Sequence, residues 1–260
     1  MKPVVVRDVA VGEGIPKICI PIMGRTKDEI IKEARDCLKL PGDMVEWRAD
    51  FFEQIFDTQA VFNTAEELRA VLGNVPILFT FRTLREGGER AIEVGEYEKL
   101  TAAAAQSGFV DMIDIEAFTG DEVVCRIIEA VHASGAKALL SNHDFQGTPD
   151  KDEIVRRLCR MQEMGADIPK IAVMPQNERD VLTLMEATLD MTEQYAQRPF
   201  ITIAMGKLGV ISRLSGGIFG SAVTFGASRK VSAPGQIRAE ELAELLKIID
   251  TSIYSTSPGK

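Results

Sequence analysis

One lysine of this sequence lies in the middle of a strongly apolar segment. Lys170 is preceded by Ile168 and Pro169 and followed by the apolar residues 171–173, a pattern typical of a buried β-strand. Burial disfavours the charged ammonium and lowers the pKa of the amine, and a neutral amine is the form that attacks a ketone to give a Schiff base. The alternative is a strand-end lysine whose ammonium group reaches solvent.

A histidine ends the preceding apolar segment. His143 is one of only two histidines in the chain, and neighbouring strands lie about 4.8 Å apart, so it could share a small ligand with Lys170. An imidazole can both accept and return a proton near neutral pH. A lone histidine is more often structural, and the second one, His132, is predicted to lie on the surface of a helix.

Three arginines lie at or after the ends of other apolar segments: Arg48, Arg82 and Arg213. Cations gathered at one mouth repel one another unless an anion lies between them, so the set favours a ligand with a carboxylate. The alternative is a separate salt bridge for each arginine, with Glu46, Glu86 or another acid. The glycine-rich residues 215–222 could cradle a phosphate or could serve only close packing.

Eight short apolar segments alternate with segments of helical period, and they must position these side chains. The predicted strands are residues 17–23, 44–48, 77–82, 112–116, 138–143, 168–174, 200–205 and 222–226. Near-continuous apolar strands are typical of parallel sheets that are covered on both faces. The alternation predicts one domain over residues 1–260, an α/β protein with a (β/α)8 TIM barrel, whose active site lies at the carboxyl ends of the strands. An open doubly wound sheet is the alternative.

The helices have recognisable starts. Thr26 with Glu29 and Asp150 with Glu153 form capping patterns, Asp121 opens another helix, and Asn177 can cap a further one. The last helix is predicted at about 239–249, and the element between residues 207 and 217 is predicted to be short and irregular. Residues 4–14 are predicted to form a hairpin that closes the barrel floor.

Composition excludes several classes of protein. The net charge of −9 and the pI of about 5.0 disfavour nucleic acid and anionic membranes as partners. No signal peptide is visible, and no segment reaches the roughly 20 apolar residues of a membrane helix. The four cysteines are far apart in apolar patterns and are predicted to be reduced and packed as small hydrophobic residues, as in a cytoplasmic protein without a metal site.

Several segments resemble type I 3-dehydroquinate dehydratases, and the resemblance runs from about Val4 to Ile249 through every predicted strand. The segments are EWRAD (46–50), FTFRTLREGG (79–88), VDMIDIE (110–116), SNHDF (141–145), GADIPKIAVMP (165–175), GVISRLSGGIFGSAVTFG (209–226) and SAPGQI (232–237). The resemblance implies a (β/α)8 barrel that dehydrates 3-dehydroquinate in the shikimate pathway. It also implies a homodimer that uses no metal or organic cofactor.

The same resemblance implies a role for individual residues. Lys170 matches the Schiff-base lysine of the family, His143 the acid/base, and Glu86 a carboxylate that influences the histidine. The matching substrate-binding positions are Glu46, Arg48, Arg82, Arg213, Ser232 and Gln236. Two residues depart from the family pattern: Pro21 replaces a common serine that touches substrate, and Gly217 replaces a common glutamate, so the short helix around it could be looser.

Other functions remain open at this point. A class I Schiff-base aldolase would use the same lysine and predicts a phosphate site, and a barrel-shaped binding protein without catalysis is a third possibility. Residues 226–236, which contain Ser232 and Gln236, are predicted to form a lid that substrate orders.

Overall fold

The predicted strands form a closed barrel. The structure, a computed structural model, describes residues 1–228 and 235–254. A hairpin of β1 (Val4–Val6) and β2 (Val9–Val11) precedes eight parallel strands, which are β3 (Lys17–Ile22), β4 (Met44–Arg48), β5 (Ile77–Thr80), β6 (Met112–Glu116), β7 (Lys137–Asp144), β8 (Ile168–Val173), β9 (Ile201–Ala204) and β10 (Val223–Ala227). Strands β3 to β9 pair in chain order, β10 pairs with β3, and a bridge between Phe200 and Ser221 closes the last gap. The (β/α)8 barrel is therefore confirmed.

Helices alternate with the strands. They are α1 (Lys27–Cys37), α2 (Thr58–Leu72), α3 (Val94–Gln106), α4 (Asp121–Ala133), α5 (Lys151–Glu163), α6 (Glu178–Asp190), α7 (Val210–Phe219) and α8 (Ala239–Tyr254), and a short strand, β11 (Ile237–Arg238), pairs with β10. Thr26, Asp150 and Asn177 each accept a hydrogen bond from a backbone N–H of the first turn. These three predicted helix starts are confirmed, because a side-chain oxygen satisfies an otherwise unpaired donor.

The prediction of a short irregular element at 207–217 was wrong. Residues 210–219 form a regular helix, α7, although two adjacent glycines lower its intrinsic helix propensity. A close contact explains one of these glycines: a Cβ on Gly217 would lie 2.2 Å from Cγ of Pro16, so only glycine allows this approach. The Ser212 hydroxyl also accepts a hydrogen bond from the backbone N–H of Ala204, at 3.0 Å. The glycine-rich segment thus serves close packing.

The lower barrel interior is apolar and the hairpin covers it. Side chains that alternate along the strands point inward, and the bottom set includes Cys19, Met44, Leu78, Met112, Leu139, Ile168 and Ile201. Val6 and Val11 of the hairpin pack against this set and are 3% and 0% exposed. A salt bridge of 2.6 Å between Arg7 and Asp111 ties the hairpin to the barrel. The predicted closure of the barrel floor is confirmed.

The cysteine prediction holds only in part. Cys19 and Cys37 are buried, Cys159 is partly buried and Cys125 is exposed. Cys125 follows Val124 on α4 and falls outside the stripe of that helix that faces the sheet, so its burial was wrongly predicted. Within the described residues, no helix is long and apolar enough to cross a membrane.

Candidate active site

A cavity of about 170 Å³ opens at the carboxyl ends of the barrel strands. Eight of the nine residues that the sequence singled out line it: Glu46, Arg48, Arg82, Glu86, His143, Lys170, Arg213 and Gln236. The ninth, Ser232, lies outside the described residues. The remaining wall is mostly apolar and is formed by Gly87, Phe145, Ala172, Ile203, Met205 and Phe225.

Lys170 lies inside the barrel and does not extend to solvent. It sits on β8 opposite Ser141 of β7, and it is only 4% exposed. Its Nζ lies 3.8 Å from Oδ2 of Asp114 and 4.6 Å from the ring centroid of Phe225. Burial lowers the pKa of the Lys170 amine, against the opposing charges of Asp114 and Glu46. The arrangement therefore increases the neutral, nucleophilic fraction of a lysine that still has carboxylates nearby.

His143 is held by one carboxylate through two of its groups. Its backbone N–H donates to Oε2 of Glu86 at 2.9 Å, and its Nδ1 lies 3.0 Å from the same oxygen. Burial, followed by the charges of Arg82, Lys170 and Arg48, lowers the pKa of the imidazole well below its ordinary value. A neutral imidazole with one nitrogen occupied by Glu86 has the other available as a base.

The loop after β5 brings Glu86 under the histidine. Glu86 ends a single turn of 3-10 helix, and Gly87 follows with a φ of +82°, a conformation that glycine adopts without strain. A Cβ on Gly88 would lie 1.9 Å from the carbonyl oxygen of Arg82, so the chain can fold back here only with glycine. Burial raises the pKa of Glu86 to about 7, although the charge of Arg82 opposes this shift.

Two of the three arginines are paired with carboxylates of the protein. Arg48 donates from Nε and Nη2 to both oxygens of Asp50, each at 2.8 Å, so for this arginine the alternative of a separate salt bridge holds, with Asp50 as the acid. Arg82 contacts Asp114 at 2.7 Å, Glu116 at 3.1 Å and Glu86 at 3.7 Å. Arg82 is thereby fixed in a buried network. Through Asp114 the network reaches Lys170, and through Glu86 it reaches His143.

Arg213 differs from the other two arginines. It is 3% exposed, its Nε has no hydrogen-bond partner, and no salt bridge joins it to a carboxylate among the described residues. Burial without a compensating charge lowers the pKa of its guanidinium to about 10. A buried cation in this state is suited to an anionic ligand.

Asp114 and Asn142 belong to the site but were not among the residues assigned roles from the sequence. Asp114 is fully buried between Arg82 and Lys170, and Asn142 contacts Glu86. Strand alternation could have identified Asp114, because it lies two residues before Glu116 and faces the same side. Asn142 ends the fifth predicted strand beside His143, but the local pattern indicates no role for it. Two residues were expected to depart from the family pattern. Pro21 lies on β3 opposite Glu46, and Gly217 lies on α7 against Pro16.

A buried lysine beside a carboxylate-bound histidine, at the mouth of a (β/α)8 barrel, is the arrangement of a Schiff-base enzyme. The chain belongs to the type I 3-dehydroquinase family, whose model matches residues 18–253.

Individual relatives agree over nearly the whole chain. The 3-dehydroquinate dehydratase of Clostridioides difficile strain 630 is 52% identical over 97% of this chain and 99% of its own length. That of Syntrophotalea carbinolica is 50% identical over 96% and 98%. The crystal structure of a type I 3-dehydroquinate dehydratase from Clostridium difficile, with covalently modified comenic acid, has a TM-score of 0.95 and covers 97% of this chain and 100% of that one, at 52% identity.

Proposed function

We propose that this protein dehydrates 3-dehydroquinate to 3-dehydroshikimate, a step of the shikimate pathway, through a Schiff base on Lys170. The observation that carries the proposal is a buried Lys170 amine that shares one cavity with His143 and Arg213. Family membership supports the same reaction. It also weighs against the aldolase and against a binding protein without catalysis, the two alternatives left open by the sequence.

Covalent chemistry begins at Lys170. Its neutral amine attacks the ring ketone, and water leaves to give an iminium ion. The positive nitrogen withdraws electrons from the adjacent carbon and makes its proton acidic, so no metal or organic cofactor is required. Asp114, with Oδ2 at 3.8 Å from Nζ, is placed to stabilise the positive charge that develops there.

His143 then moves the proton. Its free ring nitrogen removes the proton from the carbon next to the iminium and gives an enamine. The enamine expels the hydroxyl group, His143 returns the proton to it, and water leaves. Hydrolysis of the remaining iminium releases the product and restores the Lys170 amine. A single residue that removes the proton and assists the hydroxyl implies loss of both from one face of the ring.

Arg213 is proposed to bind the substrate carboxylate. Among the described residues it is the cavity arginine that lacks a carboxylate partner, which supports this assignment over Arg48 and Arg82. Gln236 and Ser232 are assigned to the same end of the substrate. Glu46, Arg48 and Arg82 are assigned to its ring hydroxyls.

Borohydride reduction tests the proposal. Substrate and sodium borohydride should leave a stable adduct on the wild-type protein, located on Lys170 by mass analysis of peptides. Lys170→Ala should form no adduct and lose nearly all turnover. His143→Ala should retain some adduct but lose turnover, because proton transfer contributes about 10²–10⁴-fold.

Matched controls make that result specific. Lys207→Ala removes an exposed lysine after β9, and His132→Ala removes the second histidine, so both should behave as wild type. An adduct on Lys207 would reject the assignment of Lys170. Trapping of sugar phosphates only would favour the aldolase, and no trapping at all would favour the binding protein.

We further propose a homodimer located in the cytoplasm. The family resemblance supports the dimer, as do isoleucines that remain about half exposed on the adjoining helices α7 and α8, namely Ile211, Ile218, Ile248 and Ile253. Sedimentation measures the assembly directly.

The unpaired cysteines support a reducing compartment, which is why we propose the cytoplasm.

A further inference from the structure

A buried asparagine links the proposed acid/base pair to a helix outside the barrel. Asn142 is 7% exposed. Its Nδ2 donates to Oε1 of Glu86 at 3.4 Å, and its Oδ1 accepts from Nη1 of Arg157 at 3.0 Å. Glu86 in turn contacts His143. Four side chains therefore form one chain of hydrogen bonds from α5 to the active-site cavity.

The chemistry of the end groups fixes the direction of this chain. A guanidinium only donates, so the amide of Asn142 must present its oxygen to Arg157 and its NH₂ to Glu86. An ionised carboxylate only accepts, so Nδ1 of His143 must carry its hydrogen where it faces Glu86. The lone pair of the imidazole is then on Nε2.

Arg157 is itself held in place on three sides. Its Nε donates to Oε1 of Glu153 at 2.7 Å, and its Nη1 lies 3.3 Å from Oδ2 of Asp144. Its guanidinium carbon lies 5.6 Å from the ring centroid of Phe118. A donor fixed by two carboxylates and an aromatic face cannot readily turn away from Asn142.

We propose that Asn142 and Arg157 are positioning residues for dehydration: they set the direction of the hydrogen bonds at Glu86 so that Nε2 of His143 is the basic nitrogen. This inference rests on the proposed role of His143. The nitrogen that carries the proton can nevertheless be measured without any turnover.

The position of the proton in the Glu86–His143 pair depends on the charged groups around it, so we expect it to respond to the loss of a single hydrogen-bond donor. Arg82, Asp114 and Glu116 face Glu86, and Arg82, Lys170 and Arg48 face His143. Because burial raises the pKa of Glu86 to about 7, both of its forms are accessible near neutral pH. Loss of the Asn142 donor should favour protonated Glu86, which would donate to Nδ1 and move the imidazole proton to Nε2.

Nitrogen NMR of protein with ¹⁵N-labelled histidine reads this directly, because the chain has only two histidines. At pH 8, wild-type His143 should be protonated on Nδ1. His132 is an internal control of opposite type, because its Nε2 lies 2.8 Å from Oδ2 of Asp167 and should carry the proton. In Asn142→Leu, the His143 signals should move towards the Nε2-protonated form, while those of His132 stay unchanged.

Kinetics supply the second measurement. Asn142→Leu and Arg157→Gln should lower kcat by about tenfold, because one hydrogen bond contributes about that factor, and KM should change less. The acid limb of kcat/KM should move to higher pH, because protonated Glu86 is favoured. Gln can present either end of its amide, so it loses the fixed direction, whereas Arg157→Lys keeps a donor-only group and should restore much of kcat. Arg156→Gln is the matched control, because Arg156 also pairs with Glu153 on α5 and does not contact Asn142.

The outcomes separate this inference from the proposed function. Unchanged His143 signals and an unchanged pH profile in Asn142→Leu and Arg157→Gln would overturn the inference. So would equal losses in Arg157→Gln and Arg156→Gln. Failure of borohydride trapping in the wild type would reject the function and leave the NMR result on His143 intact.

Discussion

Three ionisable side chains in the cavity are moved towards their neutral forms by the same cause. Burial is the largest influence on Lys170 and His143, whose pKa values it lowers, and on Glu86, whose pKa it raises. Removing water from a charged group is unfavourable in every case, and the sign of the shift depends only on which form is charged. The apolar barrel interior thus increases the unprotonated fraction of both the Lys170 amine and the His143 imidazole.

The pH dependence of activity follows from these shifts. Glu86 has a pKa of about 7, and it must be ionised to accept from Nδ1 of His143. The pKa of His143 is lower than usual, so His143 stays neutral as Glu86 begins to protonate. We therefore expect kcat/KM to fall as the pH falls through about 7, with an apparent pKa that belongs to the pair.

Glu86→Gln tests that assignment. It removes the group that titrates near neutral pH, so the acid limb should move to lower pH, and the plateau of kcat should drop because the imidazole is less well oriented. Glu89→Gln is the control, since Glu89 lies in the same loop and pairs with Arg25 at the surface. An acid limb that stays in place in Glu86→Gln would assign the titration to another group.

At the scale of elements, close contacts between helices and loops determine which residue a position accepts where helix propensity alone does not. Helix α7 contains Gly216 and Gly217 and still forms a regular helix. Glycine is required at position 217, because a Cβ there would lie 2.2 Å from the ring of Pro16. The space that a side chain at position 217 would need is therefore occupied by Pro16.

Gly217→Ala should destabilise the protein despite the better helix propensity of alanine. Propensity would contribute about 0.5–1 kcal/mol in favour, but a Cβ at 2.2 Å from a rigid ring carbon forces a shift that costs about 1–3 kcal/mol. Gly95→Ala on α3 is the matched control, because its Cβ would meet nothing within 4 Å, and it should be neutral or stabilising. Chemical denaturation compares the two free energies of unfolding, and a stabilised Gly217→Ala would contradict the packing argument.

At the scale of the whole molecule, the barrel has a functional end and a structural end. The cavity opens at the carboxyl ends of the strands, whereas the hairpin β1–β2 covers the opposite end with Val6 and Val11. The ionisable groups proposed to act in catalysis lie at one end of the barrel. The apolar hairpin residues, which we call the plug, lie at the other end and contribute to stability. Substitutions in the plug should therefore affect unfolding more than catalysis.

Val11→Ala measures the contribution of the plug. Val11 is 0% exposed, so its truncation should lower the free energy of unfolding by about 1–3 kcal/mol while borohydride trapping of substrate persists. Val5→Ala in the same hairpin is the control, because Val5 is 60% exposed and should change stability by less than about 0.5 kcal/mol. Equal effects of the two substitutions would mean that the hairpin does not close the barrel floor.

The sequence by itself determined the strands, several helix starts and the direction in which the strand side chains point. Apolar segments and capping residues act over a few neighbouring positions, so they can be read locally. Alternation along β8 places Lys170 inward, and the same rule places Glu46, Arg82 and His143 in the interior. The family resemblance assigned their chemistry, because it compares whole segments and not single patterns.

Only the tertiary structure decided which side chains become partners. Arg48 pairs with Asp50, Cys125 faces solvent, and Gly217 of the regular helix α7 lies against Pro16. Asn142 joins Glu86 to Arg157 across positions separated by 56 and 15 residues. Such contacts depend on how β7, α5 and the loop after β5 pack together. Local sequence patterns do not indicate which residues that are distant in the chain become neighbours in space.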